Sequence, residues 1–189
     1  MDTVLGRAAG NGLEVTEAVE TIDGGGPADL VEVTVALARE MVALAGVACD
    51  DPADVLASGR ARPVWDAMVR AQGGDPEAPL PVAREVEHVR AERDGVLARL
   101  DARAVGVCAW RLGAGRARKE DPVSPSAGVV CRVKPGGAVR AGDVLLELHV
   151  DDAARLPDAL AALEGGYEIA DEAPEPAPLV LDRIGRRTG

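Results

Sequence analysis

A change of hydrophobic period, set at a run of glycine and proline, does most to limit the folds open to this chain. Residues 73–81 read Gly-Gly-Asp-Pro-Glu-Ala-Pro-Leu-Pro, a stretch that interrupts helix and strand alike. Before it, apolar residues recur at helical spacing. Leu30, Thr34, Leu37, Met41 and Leu44 mark one face of a helix expected from about Ala28 to Leu44, ended by Gly46. The alanines and valines around them predict a helix buried on most sides. Asp51-Pro52 has the cap and first-turn form of a short helix closing before Gly59. Pro63 opens another, with Val64, Trp65, Met68 and Val69 turned inward. After the break the residues alternate instead. Glu85–Ala91 and Val96–Leu100 read as strands about an Asp94-Gly95 hairpin turn, and Val129–Val133 and Val144–Val150 as two more. Asp101 caps a helix through Leu112, a last helix spans about Ala153–Leu163, and Tyr167–Ile169 and Leu179–Leu181 look like edge strands. The expected class is α+β, with residues 1–74 helical, 75–84 a linker, and 85–189 a module of short antiparallel strands with helices.

Composition narrows the chemistry. Hydrophobic residues make up 47% of the 189 but aromatics only 2%, so the core has to be built from alanine, valine and leucine. The net charge of −11 argues against nucleic acid or an anionic membrane as a partner, since both require clustered Lys and Arg. Lysine occurs only at 119 and 134; the other basic residues are arginine, a pattern that reads as codon bias. Cys49, Cys108 and Cys131 are widely spaced in apolar surroundings and show no metal-binding spacing, which predicts reduced, buried thiols. No signal peptide and no apolar run of roughly 20 residues is apparent, so a cytoplasmic location is expected.

The chain opens on a loop punctuated by Gly6, Gly10 and Gly12 that runs into a helix. Asn11 is placed as its N-cap, and Glu14, three residues on, completes a capping-box pattern. Glycines at this density serve a phosphate cradle or a close approach to a neighbouring segment, and the spacing matches neither G-x-G-x-x-G nor the P-loop.

These residues resemble a known family. Met1–Glu20, followed by Gly26-Pro27-Ala28-Asp29-Leu30, is similar to the middle of thymidine and pyrimidine-nucleoside phosphorylases, which read approximately D-M-x-x-P-L-G-R-A-x-G-N-A-L-E-V-x-E-A and then G-x-G-P-x-D-L. Leu5-Gly6-Arg7-Ala8, Gly10-Asn11, Leu13-Glu14-Val15, Glu17 and Ala18 are kept; Val4 and Gly12 depart from the family's proline and alanine. Ala71-Gln72-Gly73-Gly74-Asp75, Leu112-Gly113-Ala114-Gly115-Arg116 with Lys119-Glu120, and Gly136 to Gly142 continue the match in order. The resemblance covers only the C-terminal part of the family's chain. It implies that residues 1–74 are the helical remainder of an α/β domain and that the second module is of the barrel-sandwich hybrid or hammerhead kind.

The resemblance further implies a role in phosphorolysis of thymidine to thymine and 2-deoxyribose 1-phosphate. Phosphate- and base-holding residues would lie upstream of Met1, so the polypeptide alone is expected to be inactive and no catalytic residue is assigned to it. Its partners would be the missing N-terminal part and, only in the complete enzyme, phosphate and a pyrimidine nucleoside. A truncated gene, a misplaced start and a split enzyme each account for the length. No organic cofactor is implied. A potassium- or calcium-like ion is, once the missing segment is supplied, held by the carbonyls of Leu5 and Ala8 and the carboxylate of Glu17. Hard oxygens with a single carboxylate suit a weakly charged ion. The basic loop Gly113–Ser126, with Arg116, Arg118 and Lys119, would act as a lid in the family; by itself it also reads as a solvated loop. The alternative is a non-catalytic binding or scaffold module, or a decayed gene product, derived from the same lobe.

Two further patterns lead elsewhere. Gly128–Leu148 looks like half of a lipoyl- or biotinyl-type sandwich, but Lys134 lacks the flanking residues of a carrier lysine, and the likeness is architectural. His88 and His149 have no nucleophile and acid arranged with them. The pairs Asp50-Asp51 and Asp151-Asp152 sit at helix starts, as caps.

Overall fold

The computed structural model describes residues 3–185, so Met1 and Asp2, which open the resembling run, lie outside the described residues. The opening loop ends in a short strand, β1 (Ala8–Gly10), and four helices follow: α1 (Asn11–Ile22), α2 (Ala28–Ala45), α3 (Pro52–Ala57) and α4 (Arg62–Ala71). Each stops where the sequence loses its means to continue. Gly46 ends α2 in the left-handed conformation at φ 64°, its N–H bonded to Val42 O and Ala43 O. Asp51 caps α3 by accepting from Ala53 N at 2.8 Å, with Pro52 in the first turn.

Beyond the linker come β2 (Glu85–Arg90), β3 (Gly95–Leu100), α5 (Ala102–Ala109), β4 (Gly128–Cys131), β5 (Ala138–Val139), β6 (Val144–Val150), α6 (Leu156–Ala161) and β7 (Tyr167–Ala170). A π-turn at Trp110–Ala114 extends α5 and a 3₁₀ turn at Ala153–Arg155 leads into α6. Asp101 caps α5 through Ala104 N at 3.0 Å. All strand pairs are antiparallel. They form a four-stranded sheet in the order β1-β4-β6-β2 and a three-stranded sheet in the order β5-β3-β7, with no closed barrel among the described residues. The α+β class follows.

The core lies between these sheets and helices α5 and α6. Leu97, Val105, Cys108, Val129, Leu146, Leu148 and Ala159 are fully excluded from solvent. Strand β6 shows why: Leu146, Leu148 and Val150 fall on its inner side, and Glu147 and His149 on the other. Without phenylalanine, the interior is filled by aliphatic side chains and two thiols.

Several expectations fail for identifiable reasons. Asp94-Gly95 does not close a hairpin, because β2 pairs with β6 while β3 pairs with β5 and β7. The bend is held instead by the turn at 140–143: Ala91 N donates to Asp143 O and Ala141 N to the Asp94 carboxylate, each at 2.8 Å. Asn11 is the first helical residue rather than the cap of α1. Gly10 occupies the cap, and Glu14 accepts from Gly10 N at 2.8 Å, so only the glutamate half of the expected box forms and it spans four residues. Leu179–Leu181 forms no strand. Helix α2 is not buried on most sides: only Val35 is, while Leu37, Met41 and Leu44 are 61%, 70% and 88% exposed. In α4, Val64 and Met68 also face solvent, and only Trp65 and Val69 are half-buried. Cys49 is exposed, while Cys108 and Cys131 are buried.

Candidate functional site

Strand β1 carries the glycine loop onto the edge of the larger sheet. Ala8, Ala9 and Gly10 stand opposite Val130, Val129 and Gly128, and Cys131 N donates to Arg7 O at 2.7 Å. Antiparallel ladders alternate, so with Arg7 and Cys131 as a bonded pair, the N–H and C=O of Ala8 turn to the open side of β1. The Ala8 carbonyl is thus free of the ladder. Gly128 permits this approach: a Cβ there would come within 2.5 Å of Ala9 O.

Helix α1 sets Glu17 behind the loop. The side chain is 9% exposed, and Oε1 accepts from Arg7 N at 2.8 Å and from Arg7 Nε at 3.4 Å. The second oxygen, Oε2, lies in the notch left by Gly6, where a Cβ would come within 2.1 Å of it. Gly6 also holds φ at +68°, so glycine is required twice over. Arg7 reaches on to the Glu20 carboxylate. The other side of the loop is closed by a residue the sequence reading left unused. Lys134, in the turn after β4, directs its ammonium to Val4 O, to Gly6 O at 2.5 Å and to the Asp29 carboxylate at 2.8 Å. Asp29, at the start of α2, accepts from Gly6 N at 3.1 Å. Burial raises the Asp29 carboxyl, but the Lys134 hydrogen bond and charge, with the Leu30 and Gly6 amides, outweigh it and hold the group below the usual carboxylate value.

Two cations, Lys134 and Arg7, therefore face three carboxylates, Asp29, Glu17 and Glu20. A fourth carboxylate, Glu14, accepts from Gly10 N at 2.8 Å further along the same loop. Among the described residues, no cluster of three or more His, Cys, Asp or Glu gathers to hold a metal.

The basic loop starts beside this site. Asn11 Nδ2 donates to Ala114 O at 2.7 Å and to Ser124 O at 3.0 Å, and Gly12 N to Pro125 O at 2.8 Å. The first turn of α1 thus ties both feet of the loop. A third clasp is the Asp151 carboxylate, which accepts from the hydroxyls of Ser124 and of Ser126, the latter at 2.6 Å; those bonds hold its carboxyl below the ordinary value. Between the feet, Arg116 and Lys119 are exposed, and Arg116 donates to the Lys119 carbonyl at 3.1 Å. Asp151, read as a cap, clasps the loop instead, while Asp152 does cap the 3₁₀ turn through Ala154 N at 3.1 Å. Asp50 pairs with Arg60 at 2.7 Å.

Leu5 and Ala8 lie on the glycine loop and Glu17 on α1, and the feet of the Arg116–Lys119 loop are tied to Asn11 and Gly12, about one and a half turns before Glu17. Sequence reasoning missed Lys134 and Asp29 as parts of the loop. The rarity of lysine in an arginine-rich chain was the one signal available for the former. His88 and His149 flank Glu147 on the outer face of the larger sheet, where Arg132 holds that carboxylate at 2.7 Å. Two shallow surface depressions, of about 240 and 430 Å3, gather around Gly165 and are lined by none of the loop residues.

Comparison with known proteins points in one direction. Residues 96–170 match the family described as the pyrimidine nucleoside phosphorylase C-terminal domain. Over 184 residues, 97% of this chain, the sequence is 46% identical to a thymidine phosphorylase of Mycobacterium tuberculosis, of which it covers 43%. It is 36% identical over 187 residues to a pyrimidine-nucleoside phosphorylase of Staphylococcus haemolyticus and 35% over 188 to one of Staphylococcus aureus, in each case covering 93% of this chain and 43% of the relative. The chain spans less than half the length of the curated relatives it matches.

Proposed function

Because this chain carries the C-terminal domain of the pyrimidine nucleoside phosphorylase family, we propose that it serves as the C-terminal lobe of an enzyme that converts thymidine and phosphate to thymine and 2-deoxyribose 1-phosphate. The groups that hold phosphate and polarise the pyrimidine come from a further stretch of protein, and these 189 residues alone do not turn over. The observation that carries this reading is the 46% identity over 97% of the chain to less than half of a thymidine phosphorylase. The helical part is consistent with it, since Leu37, Met41 and Leu44 leave an apolar stripe of α2 exposed that a second protein segment would cover. Neither nucleic acid nor an anionic membrane suits a net charge of −11, and among the described residues no helix is long and apolar enough to cross a membrane.

In this lobe the glycine loop contributes Leu5 O, Ala8 O and the Glu17 carboxylate toward a monovalent cation such as potassium, and further oxygens from the other segment complete the shell. The Arg116–Lys119 loop, clasped at both feet to α1, serves as a lid in the complete enzyme and offers cations to an anionic substrate. The deciding experiment measures phosphate-dependent thymine release by this chain alone and with a polypeptide corresponding to the rest of the mycobacterial relative. Release only in the mixture is expected. Turnover by the chain alone overturns the division of labour, and no release in the mixture favours a scaffold role for the lobe.

A further inference from the structure

We propose that Lys134 is the resident cation of the glycine loop, a positioning residue that holds residues 4–7 in shape before any inorganic ion binds. An ammonium has three N–H donors and no acceptor. Here all three have partners: Val4 O, Gly6 O and the Asp29 carboxylate. The network closes on itself. Gly6 gives its carbonyl to Lys134 and its N–H to Asp29, and Asp29 pairs with Lys134. A residue at φ +68° is therefore pinned from both of its peptide groups, and the Arg7 N–H that follows is delivered to Glu17 at 2.8 Å.

The lysine reaches the loop because β4 ends in register with it. Cys131 N bonds Arg7 O, and the chain turns at once, bringing Lys134 back over Gly6. Three separate stretches, the opening loop, the start of α2 and the turn after β4, meet at one nitrogen. Charge-assisted bonds of this kind are about twice as strong as neutral ones, and the Asp29 carboxylate keeps the ammonium from leaving the loop positively charged. The oxygens that Lys134 takes, Val4 and Gly6, alternate with Leu5, so the lysine does not occupy the carbonyls at Leu5 and Ala8. It fixes one side of the loop, and Glu17 holds Arg7 on the other. The same contacts explain why Lys134 is no carrier lysine: its ammonium is held by the protein rather than displayed on a hairpin tip.

This role does not depend on phosphorolysis, and a chain without any activity would still show it. Amide exchange of the 189-residue chain in choline chloride, free of potassium, reads it directly. In the native sequence, Gly6, Arg7 and Cys131 amides are expected to be protected. In Lys134→Met their protection falls about tenfold or more, while Leu146 and Leu148 in the sheet keep theirs. Asp29→Asn, which removes the counter-charge and keeps the side-chain shape, lowers Gly6 protection in the same direction. Unchanged protection at Gly6 and Arg7 in both variants overturns the proposal. So does native protection that appears only when potassium chloride replaces choline chloride, since the inorganic ion would then hold the loop. If Lys134→Met fails to fold, the Asp29→Asn variant and the native chain in choline decide the matter.

Discussion

The helices α1–α4 and the sheet-bearing module from β2 onward are both rich in alanine, valine and leucine, yet they bury them very differently. Between Ala91 and Leu163, seventeen apolar side chains are shielded from solvent; between Asn11 and Ala71, Val35 alone is, among the described residues. What buried groups α1 does hold are Gly12, against Pro125, Glu17, against the glycine loop, and Thr21, against Gly26, rather than an oily face. The module closes on itself because its strands alternate and its two helices lie on the inner side. The helical part has apolar stripes of the right period and nothing of its own to lay them against. An amphipathic pattern thus states which face is to be covered without stating by what.

That contrast can be broken at several points. The widest gap is expected between thiols. Burial pushes Cys108 up to about 12 and Cys131 up to about 11, whereas Cys49 is exposed in the helical part. Near pH 8 an aromatic disulfide reagent should titrate one thiol of the native chain quickly. The other two should react about a thousandfold more slowly, limited by opening of the core, and all three should react alike in guanidinium. Two fast thiols would mean that the module opens as readily as the helices.

Stability comes next. Leu146→Ala, at a fully buried position of β6, should cost about 3 kcal/mol in urea unfolding. Met41→Ala, at a position 70% exposed on α2, should change it by about 0.5 kcal/mol or less. If the two cost the same, the α2 face is covered in solution by a second copy or another part of the chain. Repeating Met41→Ala in the complemented enzyme sharpens the test, since a larger cost there places this face in the interface.

The smallest effect concerns acid. Asp29 and Asp151 are both held below the ordinary carboxylate value in the folded chain, one at the helical part and one at the module. A depressed folded pKa gives stability that is present above the unfolded value and lost as pH falls through the folded one. The urea midpoint should therefore stay level from about pH 7 to 5 and decline below about pH 4. Asp151→Asn, which leaves the serine hydroxyls a weaker acceptor, should start lower and decline less steeply. A midpoint that rises on acidification contradicts both assignments.

Local chemistry was legible in particular residues. Asp51-Pro52, Asp101 and Gly46 mark helix ends that depend only on the residues beside them, and the structure places each of them there. Leu146, Leu148 and Val150 announce a half-buried strand by their spacing. Contacts between distant segments were not legible in this way. Asp94-Gly95 has the composition of a hairpin turn, but the partner of β2 lies some sixty residues on in β6, and no local signal specifies it. The candidate loop divides along the same line. Glu17 was singled out through family likeness, and its burial came from the packing of α1. Lys134 and Asp29 stand 105 positions apart and meet only because β4 pairs with β1.

By itself the sequence determined the α+β class, the change from helices to strands, several helix ends and an aliphatic core, because each of these follows from propensity and period over a few neighbouring residues. The tertiary structure alone decided which faces are covered, which strands share a sheet and which side chains meet the glycine loop. Those outcomes depend on pairings between remote segments, whose free energy is gained only once the whole module has closed.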